Sequence, residues 1–200
     1  MNSSSGSEDR GSTLPLVKFS IGQNVAVTPD AAVAAYGNPA FYENRPPSGD
    51  ISLVEVVSHE DASDQARIEV RYKFTGSVSS AVRAVIDPAK ISWITRTDID
   101  KTQRRSSFVV LPDYYPDRLD CNGTFTFVEA ALPAAAPEAP AAGDSTPADS
   151  AAATAITIAG DLKVHAFLVG RTMEQLIVTG LRKYLEAEVA TLLPAFIASA

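Results

Sequence analysis

The sequence predicts an α+β domain: a seven-stranded, curved antiparallel sheet wrapped on one long C-terminal helix, with two short helices set between strands. Three observations predict it. Apolar and polar residues alternate with period two along most of the chain, the pattern of strands with one wet and one dry face. Turn-forming segments such as DKTQ and DYYPD separate these runs. After Gly170 the period changes, and apolar residues recur at three- and four-residue steps almost to the end.

Strand by strand, Val17 to Val27 puts Val17, Phe19, Ile21, Val25 and Val27 on one side, with Gln23 as the polar exception. Thr28-Pro29-Asp30 then signals a short helix, with Thr28 as cap and Pro29 in the first helical position, stopping at Gly37. Ile51 to Ser58 is apolar enough for a strand, but its alternation slips near Val54, which predicts a bulge. The polar segment His59 to Gln65 leads into the clearest alternation, Arg67 to Phe74, with charges on odd positions and apolar groups on even ones. Ser79 or Ser80 caps a second short helix, Ala81 to Ile86, ended by Asp87-Pro88. Ile91 to Ile99, Arg104 to Leu111, Arg118 to Val128 and Ala155 to Phe167 complete the strands.

The terminal helix is expected from about Gly170 to Ala198, with Thr172 and Gln175 at capping-box spacing. At ~1.5 Å per residue it spans roughly 40 Å, enough to cross the sheet. Met173, Leu176, Ile177, Leu181, Tyr184, Leu185, Val189, Leu192, Leu193, Phe196 and Ile197 form its apolar stripe. Pro194 inside that stripe predicts a kink or break in the last turn. Gly180 costs about 1 kcal/mol of helix stability relative to Ala. Two readings are open for it: close packing against a strand, or room for a ligand beside the helix.

Two hundred residues with 46% hydrophobic content can form one domain with a substantial core. The domain is expected over residues 14–200, after a Ser/Gly-rich tail at 1–13. An Ala/Pro tract at 130–154 reads as a disordered insertion between the last two strands. The net charge of −7 repels phosphate backbones, which argues against nucleic-acid partners. No apolar run approaches a membrane span and the N-terminus lacks a secretory pattern, so the expected location is the cytoplasm. One cysteine, Cys121, and two histidines far apart make neither a disulfide nor a metal site. No cofactor is expected.

Three stretches carry a resemblance to a known family: FSIGQNVAVTPDAAVAAYGNPAFYENR, AVRAVIDPAKISWITRTD and ITIAGDLKVHAFLVGRTMEQLIVTGLRKYLEAEVATLLPAF. With the element order strand, short helix, six strands and long helix, the chain resembles the START-like (SRPBCC) superfamily of helix-grip proteins, which includes polyketide cyclases and lipid-transfer domains. More narrowly it resembles an actinobacterial family of unknown function within that superfamily, over about residues 17–198. The resemblance implies a deep apolar cavity between sheet and terminal helix, entered near the first short helix. It implies no catalytic residue. The tract at 130–154 departs from the pattern, which has a short connection there.

From strand and helix facing, the expected cavity lining is Tyr36, Phe41, Tyr72, Phe74, Trp93, Thr95, Thr97, Phe108, Phe125, Phe127, Met173, Ile177, Leu181 and Tyr184. Hydroxyls occur in this set, but no inward carboxylate or imidazole, so neither acid–base nor nucleophilic catalysis has its group. Cys121 has no base beside it and reads as core. His165 and His59 read as exposed, and Arg104-Arg105 with Lys101 as a solvated mixed-charge edge. Tyr36, Phe41 and Tyr42, followed by Arg45, form either a cavity mouth or a core plug.

The leading expectation is therefore a module that binds an apolar small molecule, such as a lipid, isoprenoid or polyketide. A cyclase- or dehydratase-like enzyme is the first alternative, with Tyr72, Thr95 and Tyr184 as its hydroxyls. The second is a protein-interaction module that uses the concave face.

Overall fold

The computed structural model describes residues 16–43, 45, 49–84, 86–131, 153–166 and 169–200. Seven strands make one antiparallel sheet: β1 (Val17–Val25), β2 (Ile51–Asp61), β3 (Gln65–Phe74), β4 (Ser92–Asp100), β5 (Arg105–Pro112), β6 (Leu119–Ala130) and β7 (Ala153–Val164). Their order is β1-β7-β6-β5-β4-β3-β2. Every neighbour but one is a sequence neighbour; the exception is β1, which closes on β7 at one edge. Helix α1 (Pro29–Tyr36) and helix α2 (Ser80–Arg83) interrupt the strands. A long C-terminal rod follows, built from α3 (Gly170–Ala187), a π-helical turn (Glu188–Leu192) and α4 (Leu193–Ser199). This is the helix-grip architecture that the alternation and the terminal stripe predict.

The alternation fixes which residues face inward. In β3, Ala66, Ile68, Val70 and Tyr72 are buried, and in β7 Ile156, Ile158, Leu162 and Val164 are buried. The slip read near Val54 is a real irregularity: the β2–β3 register shifts between Leu53 and Glu55, and again between Val56 and Ser58. Several boundaries move. β1 ends at Val25 and β7 at Val164, while β2 runs on to Asp61 and leaves a tight hairpin before Gln65. The 130–154 tract is narrower than its composition suggests, since Ala130 pairs with Ala153 and the Thr154 hydroxyl donates to the Val27 carbonyl at 2.6 Å. The remainder of that tract, 132–152, and the tail at 1–13 lie outside the described residues.

Thr28 caps α1, its side chain accepting from the Ala31 N–H at 3.2 Å. Ser79 caps α2 in the same way. The long helix departs from expectation at its start: Val169 is the cap residue and makes no side-chain cap bond, so Thr172 and Gln175 lie inside the helix and form no capping box. Its first turn is instead held by Glu174, which is buried and accepts from the Val164 N–H at 2.9 Å. A backbone donor left at the end of β7 thus finds its partner on the helix that follows.

One row of the sheet explains how it curls. Phe19, Gly160, Gly123 and Phe108 lie side by side across β1, β7, β6 and β5. A Cβ on Gly123 would sit 2.3 Å from the Ala159 carbonyl and 2.8 Å from the Phe108 ring, and one on Gly160 would sit 2.4 Å from the Asn122 carbonyl. Absence of side chains at this pair lets the two strands close up and the flanking rings fold over them. Gly123→Ala should therefore lower unfolding stability by about 1–3 kcal/mol, read as a reduced urea midpoint with an unchanged m-value.

Candidate functional site

The long helix does not cover the concave face evenly. α3 packs chiefly on β7 and β1, and α4 on α1. Toward the other edge, the inward residues of β4, Trp93, Thr95 and Thr97, stay only half-buried, as do Phe74, Val110, Phe125 and, on α3, Ile177 and Leu181. Gly180 lies on the flank of the helix shared with Ile177 and Tyr184, and a Cβ placed on it would meet nothing within 4 Å. Of the two readings left open by the sequence, close packing at Gly180 is thereby removed. On the sheet, Trp93, Thr95 and Thr97 pair with the more deeply buried Tyr72, Val70 and Ile68 of β3.

Farther along the same flank, toward α4, lies a polar cluster that the sequence does not announce. Tyr184 on α3 sets its ring edge-on to Tyr72 of β3, with centroids 6.0 Å apart, and Tyr72 stacks on Trp93 at 5.9 Å. Arg45, in the segment after α1, donates through Nη1 to the Tyr184 hydroxyl at 2.6 Å and to Glu188 Oε2. Its Nε donates to the Phe41 carbonyl at 3.0 Å. The other Glu188 oxygen accepts from the Tyr36 hydroxyl at 2.6 Å, and the Tyr42 hydroxyl donates to the Tyr36 carbonyl at 3.0 Å. The guanidinium also lies over the rings of Phe41 and Tyr42, 4.0 and 4.9 Å from their centroids, so its planar charge is held on two aromatic faces.

This ion pair is buried: the side chains of Arg45 and Glu188 are 4% and 3% exposed. Desolvating two charges is costly, and the cost is offset only where the remaining lone pairs and protons find partners. Both Glu188 oxygens do. On Arg45, Nε and Nη1 do, but Nη2 is buried without a hydrogen-bond partner among the described residues.

Electrostatics follow from this arrangement. Loss of solvation works against the charge on Arg45, but Glu188 beside it outweighs that loss, and the guanidinium is held firmly protonated. Burial pushes the Tyr72 hydroxyl up to about 12, and it pushes Tyr36, Tyr42 and Tyr184 well above the usual tyrosine range, with Glu188 adding to each. The four hydroxyls are therefore neutral donors through the physiological range.

A π-turn and a proline explain how Glu188 arrives here. Pro194 has no N–H, and its ring excludes the carbonyl of the preceding turn from an ordinary α-helix. The chain answers by widening: the turn over Glu188–Leu192 is π-helical, the Leu193 N–H reaches back to the Glu188 carbonyl, and α4 begins with Pro194 in its first turn. The break expected from Pro194 is therefore a π-turn, and it starts at the carboxylate that pairs with Arg45.

The sequence-predicted lining is distributed as follows. Tyr72 and Tyr184 are buried and touch each other, Trp93 stacks on Tyr72, and Thr95, Ile177 and Leu181 are half-buried. Tyr36, Phe41 and Phe127 are fully buried in an aromatic plug; the Tyr36 ring stands 5.4–5.6 Å from those of Phe41, Phe125 and Phe127, and Phe41 is 5.2 Å from Phe196. Phe108 packs over Gly123 on the next row, its ring 5.4 Å from that of Phe125. Met173 belongs to a separate apolar cluster with Val78, Val82, Ile86 and Val164, against which Phe74 and Ile177 also pack. Thr97 is half-buried on β4, paired with Phe108.

Glu188 escapes a reading by composition because a glutamate interrupts the apolar stripe. Its signal is positional: it stands four residues after Tyr184, inside the apolar arc. The other titratable groups are remote. Cys121 is buried, its thiol pushed up to about 12 by desolvation. His165 pairs with Asp120 at 2.7 Å on the surface, and Arg104 holds Asp30 through two hydrogen bonds of 2.7 and 2.9 Å. Two clefts of about 590 and 550 Å³ open on the outer face of the sheet, one lined by Arg67, Asp98 and Arg105, the other by Lys18, Asn122 and Asp161. Neither is lined by a residue of α3. Among the described residues no helix is long and apolar enough to cross a membrane.

Residues 21–193 match the model of a family described as protein of unknown function, DUF2505. The chain belongs to that family. No curated protein matches it in sequence. Its fold is that of START/SRPBCC-like structures. TTHA0849 from Thermus thermophilus is similar with a TM-score of 0.58 and 14% identity, over 92% of this chain and 99% of that one. Norcoclaurine synthase from Thalictrum flavum is similar with a TM-score of 0.53 and 16% identity, over 98% of both chains. At these identities the likeness is one of fold. The DUF2505 chain shares with them the curled sheet gripping a terminal helix.

Two outcomes test the cluster. Arg45→Met leaves Glu188 buried without its cation and should cost about 3–5 kcal/mol, whereas Arg45→Met with Glu188→Leu should cost much less; chemical denaturation of the four members of the cycle measures both. Alkaline titration tests the tyrosines. Their folded pKa values lie above the unfolded value near 10, so their contribution is complete below about pH 10 and is lost as pH rises through the folded values. Absorbance at 295 nm should show these four hydroxyls ionising together with the loss of near-UV dichroism.

Proposed function

We propose that the protein binds a small, largely apolar molecule in the groove between α3 and the inner face of β3 and β4. The observation that carries this reading is that a Cβ at Gly180 would meet nothing within 4 Å, while Trp93 and Thr95, paired with buried Tyr72 and Val70 on the inner face, stay only half-buried. Ligand sites are concave, mostly apolar and equipped with a few polar groups, and this groove has that composition: Ile177, Leu181, Trp93 and Tyr72, with Thr95 and the tyrosine cluster as the polar part. The fold shared with START/SRPBCC-like structures supports the same reading by analogy. The ligand lies beside the helix, since the space under α4 is occupied by the aromatic plug.

The cyclase-like alternative draws its support from one feature, the hydroxyls of Tyr72 and Tyr184 beside a charged pair. Binding is favoured over it because both hydroxyls are held neutral and, among the described residues, no free base stands next to them.

Trp93 is the single tryptophan and lines the groove, so its emission reports occupancy. The neutral dye N-phenyl-1-naphthylamine should gain fluorescence on binding and quench Trp93. Gly180→Leu should abolish that binding while raising helix stability by up to about 1 kcal/mol. Dye binding unchanged in Gly180→Leu would place the ligand elsewhere.

A further inference from the structure

Along β4 the inner face changes chemistry. Its cross-strand neighbours are apolar: Val70 and Val110 stand beside Thr95, and Ile68 and Phe108 beside Thr97. Directly opposed residues of antiparallel strands project to one side of the sheet, so the burial of Val70, Ile68 and Phe108 fixes the inward direction of both threonines. Two positions on, Ile99 is buried as well. A β-branched side chain suits a strand, but valine supplies that shape equally, so strand preference does not account for the two hydroxyls. Neither hydroxyl makes a hydrogen bond among the described residues, and neither belongs to the unpartnered atoms there that are closed to water. Both residues are half-buried. Their oxygens are therefore within reach of a ligand atom, whereas a hydroxyl deep in the core, that of Thr154, is bonded within the protein.

Spacing and charge define what such a ligand carries. Thr95 and Thr97 are two residues apart on one strand, so their hydroxyls repeat at about 7 Å along it. A hydroxyl donates to a carbonyl or ether oxygen and accepts from a ligand hydroxyl. Hydrocarbon laid over these two points would displace their water without replacing its hydrogen bonds, which costs affinity. A ligand carboxylate would need a cation, and the nearby ones are engaged: Arg45 is buried against Glu188, while Arg71 and Arg96 pair with Glu55 and Glu69 on the outer face. We infer that the ligand carries two neutral oxygens about 7 Å apart on an otherwise apolar frame, held by the hydroxyls of Thr95 and Thr97. This inference rests on the groove being the binding site, and it adds to that reading the chemical class of the ligand.

Displacement of N-phenyl-1-naphthylamine by three para-disubstituted benzenes of one shape tests it: 1,4-diacetylbenzene, 4-isopropylacetophenone and 1,4-diisopropylbenzene. The diketone sets its two oxygens at the spacing of the hydroxyls. Affinity is read as a ratio to that of the hydrocarbon, in the wild type and in the Thr95→Val, Thr97→Val double variant, so that differences in ligand hydrophobicity cancel. For the diketone the wild-type ratio should exceed that of the variant by at least about tenfold, the gain of two neutral hydrogen bonds, and for the monoketone by only a few-fold. Thr95→Ser with Thr97→Ser keeps both hydroxyls and should keep the diketone ratio; thermal melts establish that both variants are folded. Equal ratios in the wild type and the valine variant overturn the threonine anchor and leave the groove standing, since the dye is still bound and still lost in Gly180→Leu. A ratio lost equally in the serine variant assigns the effect to shape and overturns the hydroxyls as its source. A diketone gain no larger than that of the monoketone overturns the two-point spacing, and tighter binding of 4-isopropylbenzoate than of 4-isopropylacetophenone overturns the neutral class. Dye binding absent from the wild type, or unchanged in Gly180→Leu, overturns the groove itself.

Discussion

A carboxylate and a guanidinium removed from water hold the two halves of this molecule to each other. Glu188 comes from the C-terminal rod and Arg45 from the segment after α1, and their side chains are nearly inaccessible. Neither charge can remain in the interior alone, since the desolvation of each is balanced only by the other and by the tyrosine hydroxyls around them. The rod is thereby fixed in rotation as well as position: a turn of one residue would carry Glu188 away from Arg45 and leave both uncompensated. The apolar stripe presses the rod onto β1 and β7, the bond from the Val164 N–H to Glu174 holds its first turn, and the ion pair holds it one turn before α4.

The same constraint shapes what remains open. Once Glu188 is directed at Arg45, Tyr184 one turn earlier meets Tyr72, and Gly180 another turn earlier stands where a Cβ would touch nothing within 4 Å. The aromatic plug of Tyr36, Phe41, Phe125, Phe127 and Phe196 fills the space under α4, and Tyr36 joins it to the ion pair. Pro194 belongs to the same logic, because the widened turn that it imposes begins at Glu188.

Sheet and helix were legible in the residues because their signals are periodic and local. Arg67 to Phe74 alternates cleanly, and Ile68, Val70 and Tyr72 are buried as that alternation requires. Thr28 caps α1, and even the bulge near Val54 could be read from a slip in phase. The expected capping box at Thr172 failed because the helix started earlier, tied to β7 through Glu174, a bond between elements that no local pattern encodes. The site was legible only in part. That Tyr72 and Tyr184 turn inward was read from facing, while Glu188 was passed over because a glutamate in a helix is ordinarily solvated, and only a cation delivered from far away in sequence makes its burial tolerable.

By itself, then, the sequence determined the strands, their inward faces, the terminal rod and the break at Pro194, since each follows from steric and hydrophobic preferences acting over a few residues. Tertiary structure alone decided that Arg45 and Glu188 meet, that a Cβ at Gly180 would touch nothing where close packing was the favoured reading, and that Tyr36 and Phe41 fill the interior while Trp93 and Thr95 stay half-buried. These are distances between segments far apart along the chain. They depend on how a curled sheet and a helix of fixed rotation come together, and no periodicity within either element carries that information.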